Sequence, residues 1–261
     1  MSTGTSYQSP PGAWNQWGTG SPTMGDLFST ASLSPTAKSH VTRVYGALGV
    51  CGVLSAVGAS VSPFNNPLVP FALSFLSLLG VTLMRPGKEN DGMRYGLLGS
   101  FALFKGMVLS PLLLHLLDMY PSVVTSALMT TVILFASLSA SAALSSRRLG
   151  MYMGALIGAL TAVLSFTLLA QLFLGSQFMA TTELFLGLFL FSAYVIYDTQ
   201  LMLGKVERGI LDVPGDAAQL YVDMVAIFIR VAILLAKQRD EQHGRRGGGG
   251  HGHRQGRSKR H

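Results

Sequence analysis

What most constrains this chain is a recurrence of apolar stretches, each about the 20 residues that a helix needs to cross a lipid bilayer. Seven occur in 261 residues, at about 41–61, 67–84, 95–117, 122–145, 149–174, 182–203 and 219–236. Their hydrophobicity is continuous rather than alternating, which points to helices and not to a barrel of strands. The charge content agrees. Only 12% of the residues are charged, against roughly a quarter in soluble domains, and the mean hydropathy is +0.43. An ordinary soluble fold is excluded, and an all-α membrane protein is expected. The lone cysteine, Cys51, rules out an internal disulfide.

The ends differ from the middle. Residues 1–40 hold Pro10, Pro11, Pro22 and Pro35 among many Ser, Thr and Gly, with no sustained apolar period. This reads as a disordered leader, without the basic start and apolar core of a signal peptide. Residues 41–236 form the transmembrane domain. Residues 237–261 carry eight basic and two acidic side chains, which is +6 of the net +7. A disordered, basic, glycine-rich tail is expected there, suited to anionic lipid headgroups. The basic balance belongs to this tail, so no nucleic-acid partner is expected.

Topology follows from the loops. Basic residues stand near the first span (Lys38, Arg43), after the second (Arg85, Lys88, Arg94), after the fourth (Arg147, Arg148) and after the sixth (Lys205, Arg208). The loops after the first, third and fifth have none. This alternation predicts six full crossings with the N-terminus in the cytosol. The seventh segment is either spanning or re-entrant. The re-entrant path keeps the basic tail cytosolic, which is the side expected for it. Because it holds Asp223 and Arg230, the segment should sit in mid-bundle or line a water-filled cavity.

An Asp at mid-bilayer costs on the order of 2.5–3.5 kcal/mol on insertion scales, so each ionisable group in a span needs a reason. Lys105 reads as a snorkelling side chain or one structural ion pair. His115 and Asp118 lie near a loop and read as solvated, and Glu183 as interfacial. Asp198, in Tyr197-Asp198-Thr199-Gln200, and Asp223, in Leu220-Tyr221-Val222-Asp223-Met224, stand on segments joined by a short connection. Two carboxylates facing each other in a low dielectric cannot both ionise cheaply and tend to share a proton. Such a pair is a proton sensor or a cation site. The alternative is that each caps a helix end or pairs with a basic residue. Arg230 is seven residues beyond Asp223, on nearly the same helix face. It is a possible ion-pair partner for either acid, or it reaches the headgroups. Small residues (Ser137 to Ala143; Gly150, Gly154 and Gly158) predict close helix packing.

These motifs resemble the Bax inhibitor-1 family, the transmembrane Bax inhibitor motif proteins. The similarity runs from Arg94 to Gln238. It rests on Arg94-Tyr-Gly-Leu-Leu-Gly-Ser-Phe-Ala, on Pro121-Ser122, on the Arg147-Arg148 loop, and above all on two motifs in order. Those are Tyr197-Asp198-Thr199-Gln200-Leu201 and Leu220-Tyr221-Val222-Asp223-Met224-Val-Ala-Ile-Phe228. The resemblance implies six transmembrane helices packed around a central C-terminal seventh. It implies a pH-sensitive calcium leak in the endoplasmic reticulum membrane and suppression of stress-induced cell death. The family's paired aspartates fall on Asp198 and Asp223.

The expected function is therefore a calcium leak gated by a proton-sharing Asp198/Asp223 pair. Carboxylate oxygens suit a hard cation such as calcium, which the two acids would hold in passing. Expected partners are membrane lipids, calcium, protons and cell-death regulatory proteins. No cofactor and no enzymatic activity are expected, and the absence of a phosphate-cradling glycine loop argues against a pump. Two alternatives stand beside this. One is a non-conducting membrane scaffold acting on cell-death or lipid proteins through its helices and tail. The other is an intramembrane aspartyl protease, with one carboxylate as base and the other as acid. Such enzymes carry Gly-x-Gly-Asp and Pro-Ala-Leu, whereas here Tyr221-Val222-Asp223 replaces the first and the second does not occur.

Overall fold

The computed structural model describes residues 34–61, 66–87, 89–145, 149–175 and 177–248. They form seven helices: α1 (Pro35–Ser60), α2 (Leu68–Leu83), α3 (Asp91–Met119), α4 (Pro121–Leu144), α5 (Leu149–Leu174), α6 (Gln177–Glu207) and α7 (Val213–Gly248). Six are long and apolar enough to cross a membrane, and α2, of 16 residues, is apolar but shorter. The chain is an all-helical, multi-pass membrane protein. Most of the expected leader (1–33), part of the expected tail (249–261) and the side chains of Arg147 and Arg148 lie outside the described residues.

The helices outrun the apolar stretches because caps, not hydropathy, end them. α1 starts at Pro35 rather than near 41. Ser34 Oγ accepts a hydrogen bond from the Ala37 N–H at 3.2 Å, and Pro35 occupies the first position, where a missing N–H costs nothing. α4 also opens on a proline, Pro121, but without a side-chain cap. α6 runs past the expected 203 to Glu207 and stops at Gly209, whose φ of +77° suits glycine. The Ile210 N–H there returns to the Lys205 carbonyl at 3.0 Å. α7 is the largest departure. It spans 36 residues, about 54 Å, and keeps residues 237–248 helical where a disordered tail was expected. Lys, Arg, Gln and Glu there are good helix formers once a helix is already nucleated.

α7 is the central helix. Half of its most apolar window is buried, against a third or less in every other span. It touches α1, α2, α3, α4 and α6, while α5 packs on α6 alone and forms an outer layer. The expected arrangement around a central C-terminal helix is present with that refinement. α7 does not turn back. Its first turns lie beside His40 of α1. Its last turns lie at the α3–α4 junction, where Tyr120 Oη donates to Asp240 Oδ1 at 2.6 Å. The start of α1 and the end of α7 are thus at opposite ends of the bundle, and of the two paths open to the seventh segment the unbroken one is found. A reversal inside lipid would strand backbone N–H and C=O groups, and an unbroken helix avoids that cost.

The closest helix approach is α1 against α3. A Cβ on Gly58 would overlap the Leu103 carbonyl, and one on Gly106 would overlap the backbone of Ser55. Ser55 Oγ donates to Ala102 O at 2.7 Å and Ser110 Oγ to Ala59 O at 2.8 Å. In lipid such contacts and bonds replace the hydrophobic effect as the force between helices. Of the glycines expected to pack tightly in α5, Gly154 and Gly158 do not, and Gly150 lies outside the residues whose side chains are described. Gly154 makes only ordinary contact with Tyr197, and the Cβ position of Gly158 faces open space. Gly58→Ala and Gly106→Ala should each destabilise the bundle by about 1–3 kcal/mol through overpacking. Gly158→Ala should stay within about 0.5 kcal/mol of wild type. Thermal unfolding in detergent measures all three.

Candidate functional site

α6 and α7 run antiparallel and form a seam that carries most of the ionisable side chains inside the bundle. At the α6–α7 junction, Asp216 is held from two sides. Its Oδ2 accepts from His40 Nε2 at 2.9 Å and its Oδ1 from Lys205 Nζ at 2.8 Å. Both His40 and Asp216 are buried. Next to it Asp212 caps α7, taking the Gly215 N–H on its side chain and the Asp216 N–H on its carbonyl. Asp212 also receives a two-pronged bond from Arg94, Nη1 to Oδ1 at 2.6 Å and Nη2 to Oδ2 at 2.9 Å. Arg94 Nε and Nη2 further donate to the Val81 carbonyl in the last turn of α2. Arg94 was read as a loop residue. It is instead in the first turn of α3 and only 1% exposed. Its guanidinium ties α2, α3 and the α6–α7 connection together.

Two turns deeper, Asp198 of α6 meets Asp223 of α7. The two carboxyl groups are near enough for each to act on the other. Asp223 is 4% exposed, and its Oδ2 is a buried oxygen with no other partner. Thr199 Oγ1 and the Gln200 side-chain amide, beside Asp198 in sequence, are likewise buried without partners. Tyr221, fully buried two residues before Asp223, donates its hydroxyl to Ser55, which passes the bond to Ala102 O. The Phe101 ring stands edge-on to Tyr221 at 5.4 Å. Among the described residues, neither acid caps a helix or joins a salt bridge. Buried oxygens in this state are satisfied by a shared proton, by water or by a cation.

Arg230 does not reach the acids. Its Nη2 donates to Glu183 Oε1 at 3.2 Å, and its Cζ lies 4.6 Å over the Phe191 ring. Of the partners considered for Arg230, neither acid is used: the seven-residue step carries its backbone about 10.5 Å along the axis from Asp223, and its side chain pairs with Glu183 instead. Glu183, read as interfacial, is thus a seam residue. Lys105 is half-buried in α3 with no hydrogen bond or ion pair among the described residues. His115 and Asp118 line an open depression with Leu114 and Leu117 near the end of α3. Sequence reasoning missed His40, Asp212 and Asp216. The one signal available was spacing, since Asp216 stands seven residues before Asp223.

Asp212 lies in the α6–α7 connection. Burial pushes its carboxyl up, but the Arg94 hydrogen bonds, the Gly215 N–H and the charges of Arg94 and Lys205 outweigh it and hold the group below the ordinary aspartate range. A carboxyl depressed on folding contributes stability that is fully present above the unfolded value of about 4. That stability is lost as pH falls through the lower folded value. Asp212→Asn leaves Arg94 a buried, uncompensated charge, so it should cost about 3 kcal/mol at neutral pH. It should also remove this part of the acid slope from the stability curve, as measured by detergent-phase unfolding at a series of pH values.

The profile of the family described as inhibitor of apoptosis-promoting Bax1 matches residues 37–240. The chain is 30% identical to Bax inhibitor 1 of Arabidopsis thaliana, over 88% of this chain and 92% of that protein. It is 30% identical to Bax inhibitor 1 of Drosophila melanogaster, over 85% and 90%. With Bax inhibitor 1 of Bos taurus the identity is 28%, over 80% and 91%. The matched region takes in all seven helices and the whole α6–α7 seam, and the chain belongs to the Bax inhibitor-1 family.

Proposed function

We propose that this protein is a pH-sensitive cation leak of the endoplasmic reticulum membrane, with calcium as the permeant ion, and that it restrains stress-induced cell death. The observation that carries the reading is the meeting of Asp198 and Asp223 in a buried seam, with Asp223 Oδ2 unpartnered. One captured proton changes the charge of that pair by a full unit where little water can screen it, and so shifts any balance between closed and open arrangements. Among the described residues no third Asp, Glu, His or Cys joins the pair to make a metal-holding cluster. Two carboxylates fall short of the six to eight oxygens of a resident calcium site, which suits passage rather than storage.

The basic residues near the start of α1 and after α2 support a cytosolic N-terminal end of the bundle. The clamp of Arg94, Asp212, His40, Asp216 and Lys205 then faces the cytosol, and the last turns of α7 reach the other side. Lipids surround the helices, and cell-death regulatory proteins are the partners through which a leak would act.

The test is calcium flux from vesicles holding the full chain. Asp198→Asn and Asp223→Asn keep the shape of the pair but remove its titration. Each should flatten the dependence of flux on pH while the protein stays monodisperse. Wild-type flux with unaltered pH dependence in both variants would refute the reading. A scaffold role predicts a different split: removal of residues 237–261 abolishes protection of cells and leaves flux intact.

A further inference from the structure

From its start to Lys237, the charged residues of α7 fall on one line. Asp216, Asp223, Arg230 and Lys237 recur every seven residues. Seven residues are nearly two turns, so the four share a face that drifts by only about 20° per step. Each meets a polar group of α6. Asp216 takes Lys205 at 2.8 Å, Asp223 takes Asp198, Arg230 takes Glu183 at 3.2 Å, and Lys237 Nζ donates to Thr181 Oγ1 at 2.9 Å. The seam is a ladder of four rungs. Only the second opposes like charges.

The third rung is built around its guanidinium. Glu183, Gly187 and Phe191 stand at successive four-residue steps of α6, hence on one stripe. A side chain at Gly187 would overlap Arg230 Nε, Cζ and Nη2. Glycine there leaves a bay, and the guanidinium fills it. Glu183 holds one edge of the guanidinium, the Ala226 carbonyl accepts from Nη1 at 3.2 Å, and Phe191 covers a face. Nε is buried with no partner. A cation that leaves the acid pair along this seam, toward the end of α7, meets that positive group about 10.5 Å further on.

We propose that Arg230 is the charge barrier of the cation path and that Glu183 sets its height. The proposal rests on reading Asp198/Asp223 as a cation-passing pair. A fixed positive charge in a narrow, poorly hydrated passage raises the energy of a cation in proportion to that cation's charge. Glu183 cancels part of that field. The two partners of one salt bridge therefore act on flux with opposite signs, which a purely structural pair does not do.

The experiment uses the full chain in phosphatidylcholine vesicles, with calcium and potassium flux measured separately. Arg230→Gln leaves Glu183 alone at the rung and should raise calcium flux about tenfold and potassium flux about threefold, since the barrier scales with ion charge. Glu183→Gln should lower both, again calcium more. Arg230→Lys keeps the charge and should stay within about twofold of wild type. Should Arg230→Gln alone not fold, the double variant Glu183→Gln/Arg230→Gln compared with Glu183→Gln makes the same charge change without stranding an acid. Arg230→Gln and Glu183→Gln moving flux in the same direction, neither moving it, or both ions changing by one factor would overturn the barrier. Asp198→Asn and Asp223→Asn, run in parallel, separate the two ideas. If wild type passes no calcium, or its pH response survives in both, the leak falls and the barrier with it. If the acid variants respond and the rung variants do not, only the barrier falls.

Discussion

The constraint on which this fold depends is that its most buried helix is also its most charged one. α7 brings two acids and two bases into the middle of a bundle that lipid surrounds, and lipid solvates none of them. Their partners must come from neighbouring helices. This requirement selects α6 as the antiparallel companion, with Lys205, Asp198 and Glu183 as the facing groups. It also selects glycine at 187, where a larger residue would displace the guanidinium of Arg230. The apolar residues on the rest of α7, such as Leu220, Ile227 and Ala232, then make the contacts that hold α1, α3 and α4 around it.

The junction end of the seam is built differently from its middle. Arg94 uses both faces of its donor fork, one on Asp212 and one on the Val81 carbonyl. That carbonyl belongs to the last turn of α2, where no intrahelical N–H is left to satisfy it and the helix dipole favours a cation. His40 and Lys205 together saturate Asp216. The connection between α6 and α7 is therefore fixed to α1, α2 and α3 by groups whose hydrogen-bonding capacity is nearly used up. The Asp198/Asp223 level, by contrast, has unsatisfied oxygens. Order at the junction and polar vacancy one heptad deeper are two consequences of the same chain reversal.

The sequence made the number and rough position of the helices legible, because hydropathy over 20 residues is a strong signal in a chain with so few charges. It made Asp198 and Asp223 legible, because two acids in adjacent apolar segments have few reasons to exist. It did not reveal the helix ends, which depend on local caps such as Ser34 and Gly209 that carry no hydropathy. Nor did it reveal partners. Arg94 and Asp212 are 118 residues apart, and His40 and Asp216 are 176 apart. No property of either segment alone shows that they touch. Arg94 was misread for a related reason: beside polar Asn90 and Asp91 it resembles a loop residue, and only the tertiary position of Asp212 draws it into the core. The Asp223–Arg230 spacing is visible in the sequence, but its meaning changes because α6 supplies Glu183 as the arginine's partner.

Within the ladder, the rungs differ in what a change of protonation or charge costs. At Asp216 or Glu183, replacing the acid by a neutral residue strands a lysine or an arginine. At Asp198/Asp223 the reverse holds. Two ionised carboxylates repel, so gaining one positive charge, as a proton or as a passing cation, relieves an unfavourable state instead of creating one. The seam is thus stiff in charge at the rungs on either side of the pair and soft at the pair itself. A heptad row that alternated acid and base at every step would have no such soft point, and one made only of acids would not hold α6 against α7. The order acid, acid, base, base along α7 gives the seam both properties at once.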